Sequence, residues 1–165
     1  FDSLTVGHDD LGNTLYQLDV VVVNLFDANV PTVVIPTSRS YDSFANRPRF
    51  GWVRPSLSED GSTLAYLDAV RRPGDPSGTG HLAVMVRDMA SGTTVQVDQS
   101  NEGIKGDSSA YAPHLSADGQ LVVFESLATN LVPNDTNESV DVFLVDLASG
   151  GSPTITCVST ASGGS

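Results

Sequence analysis

The chain has 165 residues, 39% of them hydrophobic, which suits one sizeable buried core and argues against wholesale disorder. Eight basic against twenty acidic side chains give a net charge of −12, so no nucleic acid is expected as a partner, because phosphate neutralisation needs Lys and Arg; an anionic membrane surface is disfavoured likewise. The single cysteine, Cys157, cannot form an intrachain disulfide, and no apolar run approaches the ~20 residues of a membrane helix, so no membrane insertion is expected.

Residues 1–37 read as three strand-like pieces. An aromatic start at Phe1 leads to the apolar run DVVVVNL (19–25), a turn at DAN (27–29) and PTVVIP (31–36). The stretch 38–51 then interrupts the pattern. It gathers Arg39, Tyr41, Phe44, Arg47, Arg49 and Phe50 in a chain otherwise poor in cations and aromatics. Arg and large aromatics are enriched at interface hot spots, which makes this insertion the candidate contact for a protein partner. The competing reading is a long connector whose aromatics fill a seam between sheets.

Residues 52–98 hold four strand-like pieces. PSLS (55–58) precedes Asp60-Gly61, a pair whose tolerance of positive φ favours a tight hairpin into STLAYL (62–67). After a polar connector comes AVMVRDM (83–89), apolar enough for burial on both faces of a sheet, then a turn at ASG (90–92) and TTVQV (93–97). The connector 99–110 contains GDSSA (106–110), which matches a Gly-x-Ser-x-Gly elbow in its first three residues only, so Ser108 is read as loop and no catalytic residue is assigned.

Residues 111–159 repeat the preceding block. Pro55 falls on Pro113, Leu57 on Leu115, Asp60-Gly61 on Asp118-Gly119 and Tyr66 on Phe124, all at an offset of 58. DVFLVDL (141–147), a turn beginning at Ala148 and TITCVS (154–159) complete the copy, and 160–165 is a connector onward. CVSTASGGS (157–165) is set against VQVDQSNEG (95–103). No segment carries a 3.6-residue apolar period, so no helix is expected.

The phrases PSLSEDGSTLAY and PHLSADGQLVVF resemble the Pro-x-x-Ser-x-Asp-Gly repeats of the TolB-type, or WD-like, β-propellers. The resemblance implies an all-β fold of four-stranded antiparallel blades, two complete and one partial, within a larger propeller. It puts the Pro-led strand innermost, with Ser56, Ser58, His114 and Ser116 toward a central channel and Leu57 and Leu115 packed between blades. Both ends of the chain fall inside a repeat, so the remaining blades are expected from a longer polypeptide or from oligomerisation. A self-contained open three-blade domain is the alternative, and it would leave strand edges uncovered. The function implied is a non-catalytic scaffold, periplasmic or extracellular, that binds a protein, peptide or glycan. The propeller domain of a larger hydrolase of the prolyl-oligopeptidase kind, or of a propeller lyase, is the enzymatic alternative; a structural subunit of a surface assembly is the third.

The loop NDTNES (134–139) offers Asp135, Asn137, Glu138 and Asp141, oxygen donors at a spacing that could wrap calcium, the one cofactor this sequence suggests. Its sister positions do not repeat the set: Asp135 corresponds to Asn13 and Ser77, Asn137 to Leu15 and Thr79, Asp141 to Asp19 and Ala83. A solvated turn is the alternative. NDT and NES also match the acceptor pattern for N-glycosylation. His8, His81 and His114 fall at different places in the repeat, without metal-ligand spacing around them.

Overall fold

The computed structural model describes residues 2–8, 14–22, 33–36, 55–70, 80–148 and 153–159, the first three stretches as backbone only. The described residues contain no helix and form three antiparallel meanders. The first has three strands, β1 (Asp2–His8), β2 (Thr14–Val22) and β3 (Val33–Pro36). The second has four, β4 (Ser56–Leu57), β5 (Thr63–Val70), β6 (His81–Asp88) and β7 (Thr94–Gln96). The third also has four, β8 (Ala110–Leu115), β9 (Leu121–Ser126), β10 (Asp141–Asp146) and β11 (Thr154–Cys157).

Each strand pair keeps the register of the repeat. Asp2 faces Val20 across β1 and β2 as Glu125 faces Val142 across β9 and β10. On the outer side Met85 faces Gln96, and Phe143 faces Cys157. Cys157 therefore stands in the place of Gln96, one residue away from the pairing with Val95 that the sequence alignment gave. The reason is a connection between β10 and β11 that is three residues longer than that between β6 and β7, where the alignment implied four, a difference invisible to a comparison of small polar residues.

The Ser-x-Asp-Gly motif is a self-contained hairpin. The Ser58 hydroxyl donates to Asp60 Oδ1 (2.8 Å) while accepting from the N–H of Thr63 (3.0 Å), and Asp60 Oδ1 also accepts from the N–H of Ser62 (2.9 Å). The N–H of Gly61 closes the turn on the Ser58 carbonyl (3.0 Å), with Gly61 at φ 73°. Ser116, Asp118 and Gly119 repeat every one of these roles. Only the glycine has positive φ in each turn, so the hairpin closes through a four-residue turn with a left-handed glycine, a longer loop than the two-residue form.

The core is the seam between the second and third sheets. Leu67, Val84 and Val86 of one sheet meet Val122, Phe124, Phe143 and Val145 of the other, and the two Phe rings stack at 5.7 Å. Burying each such side chain is worth about 1.5–3 kcal/mol, so the seam is the main apolar driving force of this part of the chain. Polar contacts fix its inner end: Ser56 Oγ accepts from the N–H of Leu115 (2.9 Å), and the N–H of Glu59 donates to the Ala117 carbonyl (2.8 Å).

The expected assignment of the Pro-led strand is thereby half corrected. Leu115 packs on the core as expected, but Leu57 is 44% exposed and Ser58 is buried. Ser56 and Ser58 face the neighbouring sheet instead of a channel, because in stacked sheets both faces of a strand look at sheets. His114 is exposed.

Candidate functional site

Two loops at the same end of the third sheet are sewn to each other and carry most of the polar groups singled out in the sequence. The N–H of Asp107 donates to Asn130 Oδ1 (2.9 Å), and Asn130 Nδ2 donates to the Lys105 carbonyl (2.9 Å). In return Asp107 accepts from the N–H (2.8 Å) and the hydroxyl (3.0 Å) of Thr129. Asn101 completes the connector's attachment. Its Nδ2 donates to the Ile155 carbonyl (3.2 Å) and its Oδ1 accepts from the N–H of Ile155 (2.8 Å), which copies a strand pairing on β11 with one side chain. Asn101→Ala should lower stability by roughly 1–2 kcal/mol, read from the denaturant midpoint, since both backbone groups lose a partner.

The predicted calcium residues do come together, but they hold one another. Asn137 Nδ2 donates to Asp141 Oδ2 (2.8 Å), the Ser159 hydroxyl donates to Asp141 Oδ1 (2.6 Å), and Asn137 Oδ1 accepts from the N–H of Ser139 (2.9 Å). Asp141 is buried, with both carboxylate oxygens engaged. Burial raises Asp135 above the usual carboxylate range, with repulsion from Asp141 adding to it and a hydrogen bond from the Asn137 backbone opposing it. Asn134 (φ 63°) and Glu138 (φ 51°) both turn left-handed to make the loop, and Glu138 is exposed. Among the described residues no three His, Cys, Asp or Glu side chains converge to hold a metal ion. Millimolar calcium should therefore leave the thermal melt unchanged; a melting temperature that climbs with calcium would show that the loop reopens around the ion.

The remaining candidates separate. The insertion carrying Arg39, Tyr41, Phe44, Arg47, Arg49 and Phe50 lies outside the described residues. Ser108 sits in the connector, half-buried. Cys157 is half-buried on β11, its Sγ donating to the Ser159 carbonyl (3.4 Å).

Asp98 was not singled out in the sequence. It is 1% exposed. Its Oδ1 accepts from the N–H of Val84 (3.0 Å), but Oδ2 is buried without a hydrogen-bond partner. Burial pushes this carboxyl up to about 7, against smaller opposing effects of the Gln96 side chain, neighbouring backbone N–H groups and Lys105. Gln96 is near enough to favour the charged form, yet its buried Nε2 completes no hydrogen bond. In the next sheet Ser159 does the same capping: its Oγ accepts from the N–H of Val142 (2.9 Å). The repeat would have revealed Asp98 had the fourth strands been aligned by their pairing.

No protein-family model matches the sequence, nor does any curated protein. Among solved structures the chain is similar to the crystal structure of the tricorn protease, which has a β-propeller domain, with a TM-score of 0.50 and 17% identity. The match covers 90% of this chain and 14% of that chain, so this sequence spans a small part of the length of the protein it resembles. At this identity the likeness concerns fold alone. The three meanders are β-propeller blades, two complete and one partial, in an open arrangement among the described residues.

Proposed function

We propose that these blades belong to a TolB-like propeller that works as a non-catalytic binding scaffold outside the cytoplasm. The observation carrying this reading is how the polar side chains of the described loops are used. Asp60, Asp88, Asp107, Asp118, Asn130 and Asn137 all bond to groups within the loops, so their chemistry goes into fixing loop shape. A rigid stack with stiff loops is a platform for presenting a contact surface, and the Arg- and aromatic-rich insertion at 38–51 is the contact we assign to a protein, peptide or glycan.

Capture experiments with the purified chain test it. A partner retained by the wild type at fixed stoichiometry should be lost when Arg39, Arg47 and Arg49 are changed to Ala, and again when Tyr41, Phe44 and Phe50 are. Retention by both variants would remove the insertion from the interface and with it this reading.

A second reading is favoured by the likeness to the tricorn protease: the blades serve as the propeller part of a larger hydrolase whose catalytic groups lie elsewhere. A parent polypeptide that carries a serine-nucleophile elbow beside these blades, and whose peptidase activity depends on them, would favour it over the scaffold.

A further inference from the structure

Asp98 lies just past β7, where the chain leaves the second sheet for the third, and its surroundings form a neck. The N–H of Gly106 donates to the Asp98 carbonyl (2.8 Å), and Gln99 bridges to Lys105, which closes residues 98–106 into a loop. Beyond the neck the connector is already held by the third sheet. Asn101 is bonded to Ile155, and the backbones of Lys105 and Asp107 are bonded to Asn130. Asp98 itself is bonded to the second sheet, through the N–H of Val84 (3.0 Å). The neck therefore ties the two sheets together at the end of the seam where β8 begins, away from the Ser-x-Asp-Gly turns.

Gly106 is the stopper of this neck. It is buried, and a Cβ placed on it would lie 3.3 Å from the Asp98 carbonyl oxygen and 3.4 Å from both Asp98 Oδ2 and Ala128 Cβ. Oδ2 is enclosed there without a hydrogen-bond partner, which is tolerable while the carboxyl carries a proton and costly once the charge forms.

We propose that this neck is a proton-operated latch: the protonated Asp98 carboxyl lets Gly106 close over it, and the carboxylate breaks the Gly106 bond so that water reaches Oδ2, loosening the second sheet from the third at this end. Relief at the neck costs one backbone hydrogen bond, whereas parting the seam would separate its apolar side chains, the stacked Phe124 and Phe143 among them. The bonds of Asn101 and Asn130 keep the connector on the third sheet, and the N–H of Leu82, donating to Ser109 Oγ (3.2 Å), still ties the sheets, so the blades stay folded while the neck opens.

The elements around Asp98 carry His81, Arg87 and Asp88 on β6 and Glu102, Lys105 and Asp107 on the connector. Of these it is Lys105 whose charge acts on Asp98, favouring the ionised form. Burial outweighs it and pushes the closed carboxyl up to about 7, while an open neck returns it toward the ordinary value of 3.8. Opening thus becomes about tenfold more frequent per pH unit between those values and levels off above about 7. Global unfolding carries the same linkage, so the latch is distinguished by where the chain opens.

Amide hydrogen exchange of the 165-residue chain, read residue by residue by NMR, tests it. At about pH 7.5 the Gly106 amide of the wild type should exchange at least about tenfold faster than those of Phe124 and Phe143. Asp98→Asn should slow Gly106 by about tenfold or more, with the difference shrinking toward about pH 5, and should leave the Asp107 amide, held by Asn130, unchanged. If that variant does not fold, Asp98→Ser takes its place, since a hydroxyl caps the matching N–H of Val142 in the next sheet. If neither folds, the wild type decides: Gly106 protection, corrected for intrinsic exchange, that falls from about pH 5 to about pH 7.5 supports the latch, and constant protection refutes it. A Gly106 amide as slow as Phe124 and Phe143, a Gly106 rate indifferent to Asp98→Asn, or an Asp107 amide slowed along with Gly106 would each overturn the proposal. The inference rests on the neck and not on the scaffold reading, so loss of partner capture would leave it standing.

Discussion

Gly119→Ala should destabilise the protein by roughly 2–4 kcal/mol, whereas Gly61→Ala, the same change at the same place one blade earlier, should cost about 1 kcal/mol. Both glycines close Ser-x-Asp-Gly turns with nearly equal backbone angles, φ 73° for Gly61 and 69° for Gly119, so the left-handed penalty is common to both. Their surroundings differ. A Cβ on Gly61 would meet nothing within 4 Å, while one on Gly119 would lie 2.8 Å from Thr63 Oγ1, 3.0 Å from Thr63 Cβ and 3.1 Å from Ser58 Cβ. Thr63 Cβ and Ser58 Cβ are fixed to the backbone of the previous blade's hairpin, and Ser58 is buried, so relief requires the two turns to separate. Thermal melts of the two variants side by side read the difference. Equal losses would mean that the turns do not pack as closely as the seam requires.

Asp98 should make stability fall as pH rises through neutrality. A free carboxyl titrates near 3.8, and in the folded chain Asp98 is pushed up to about 7 by burial. Between those values the folded state holds a proton that the unfolded chain has released. The stabilisation is therefore complete below the unfolded value and is lost as pH rises through about 7, with a full span on the order of 4 kcal/mol. Asp60, Asp88 and Asp118 act in the other direction. Hydrogen bonds from Ser62, Ser91 and Ser116 respectively lower them below the usual carboxylate value, so their contribution disappears only in more acidic solution, outside the Asp98 window. Denaturant midpoints measured from about pH 5 to about pH 8.5 should decline for the wild type and stay flat for Asp98→Asn. Identical slopes would show that Asp98 is ionised and satisfied at neutral pH. Asp98→Ser is the informative companion, because it installs in this blade the cap that Ser159 already provides in the next.

Much of the fold was legible because each blade is specified by short-range chemistry. The Ser-x-Asp-Gly hairpins can be read directly, since hydroxyl, carboxylate and left-handed glycine bond within one turn. The third strands were legible from their apolar runs, and β6 buries Val84 and Val86 on one face and Ala83 on the other, with Met85 half-buried. On β10 alternate residues remain only half-buried, although its sequence is just as apolar. A run of Val, Leu and Phe says that a strand can be covered on both sides; the neighbouring sheet decides whether it is.

The candidate site was legible in position and not in role. Asp135, Asn137 and Asp141 do share one loop, yet the Asn137 amide and the Ser159 hydroxyl occupy the Asp141 carboxylate. Ser159 lies on a different segment, and no spacing within NDTNES could announce it. Asp98 escaped for the same reason: its bond to Val84 runs between strands whose pairing depends on the length of an intervening turn.

The sequence by itself determined the repeat, the hairpins and the order of strands in each blade, because all of these depend on neighbours close in the chain. The tertiary structure alone decided which face of each strand is buried, that Ser58 goes inward while Leu57 stays out, and that a carboxylate at Asp98 is enclosed with one oxygen unmet. The strand faces are decided where one sheet lies on another, by residues about one repeat apart in the chain such as Ser56 and Leu115, and Asp98 is placed by its pairing with β6.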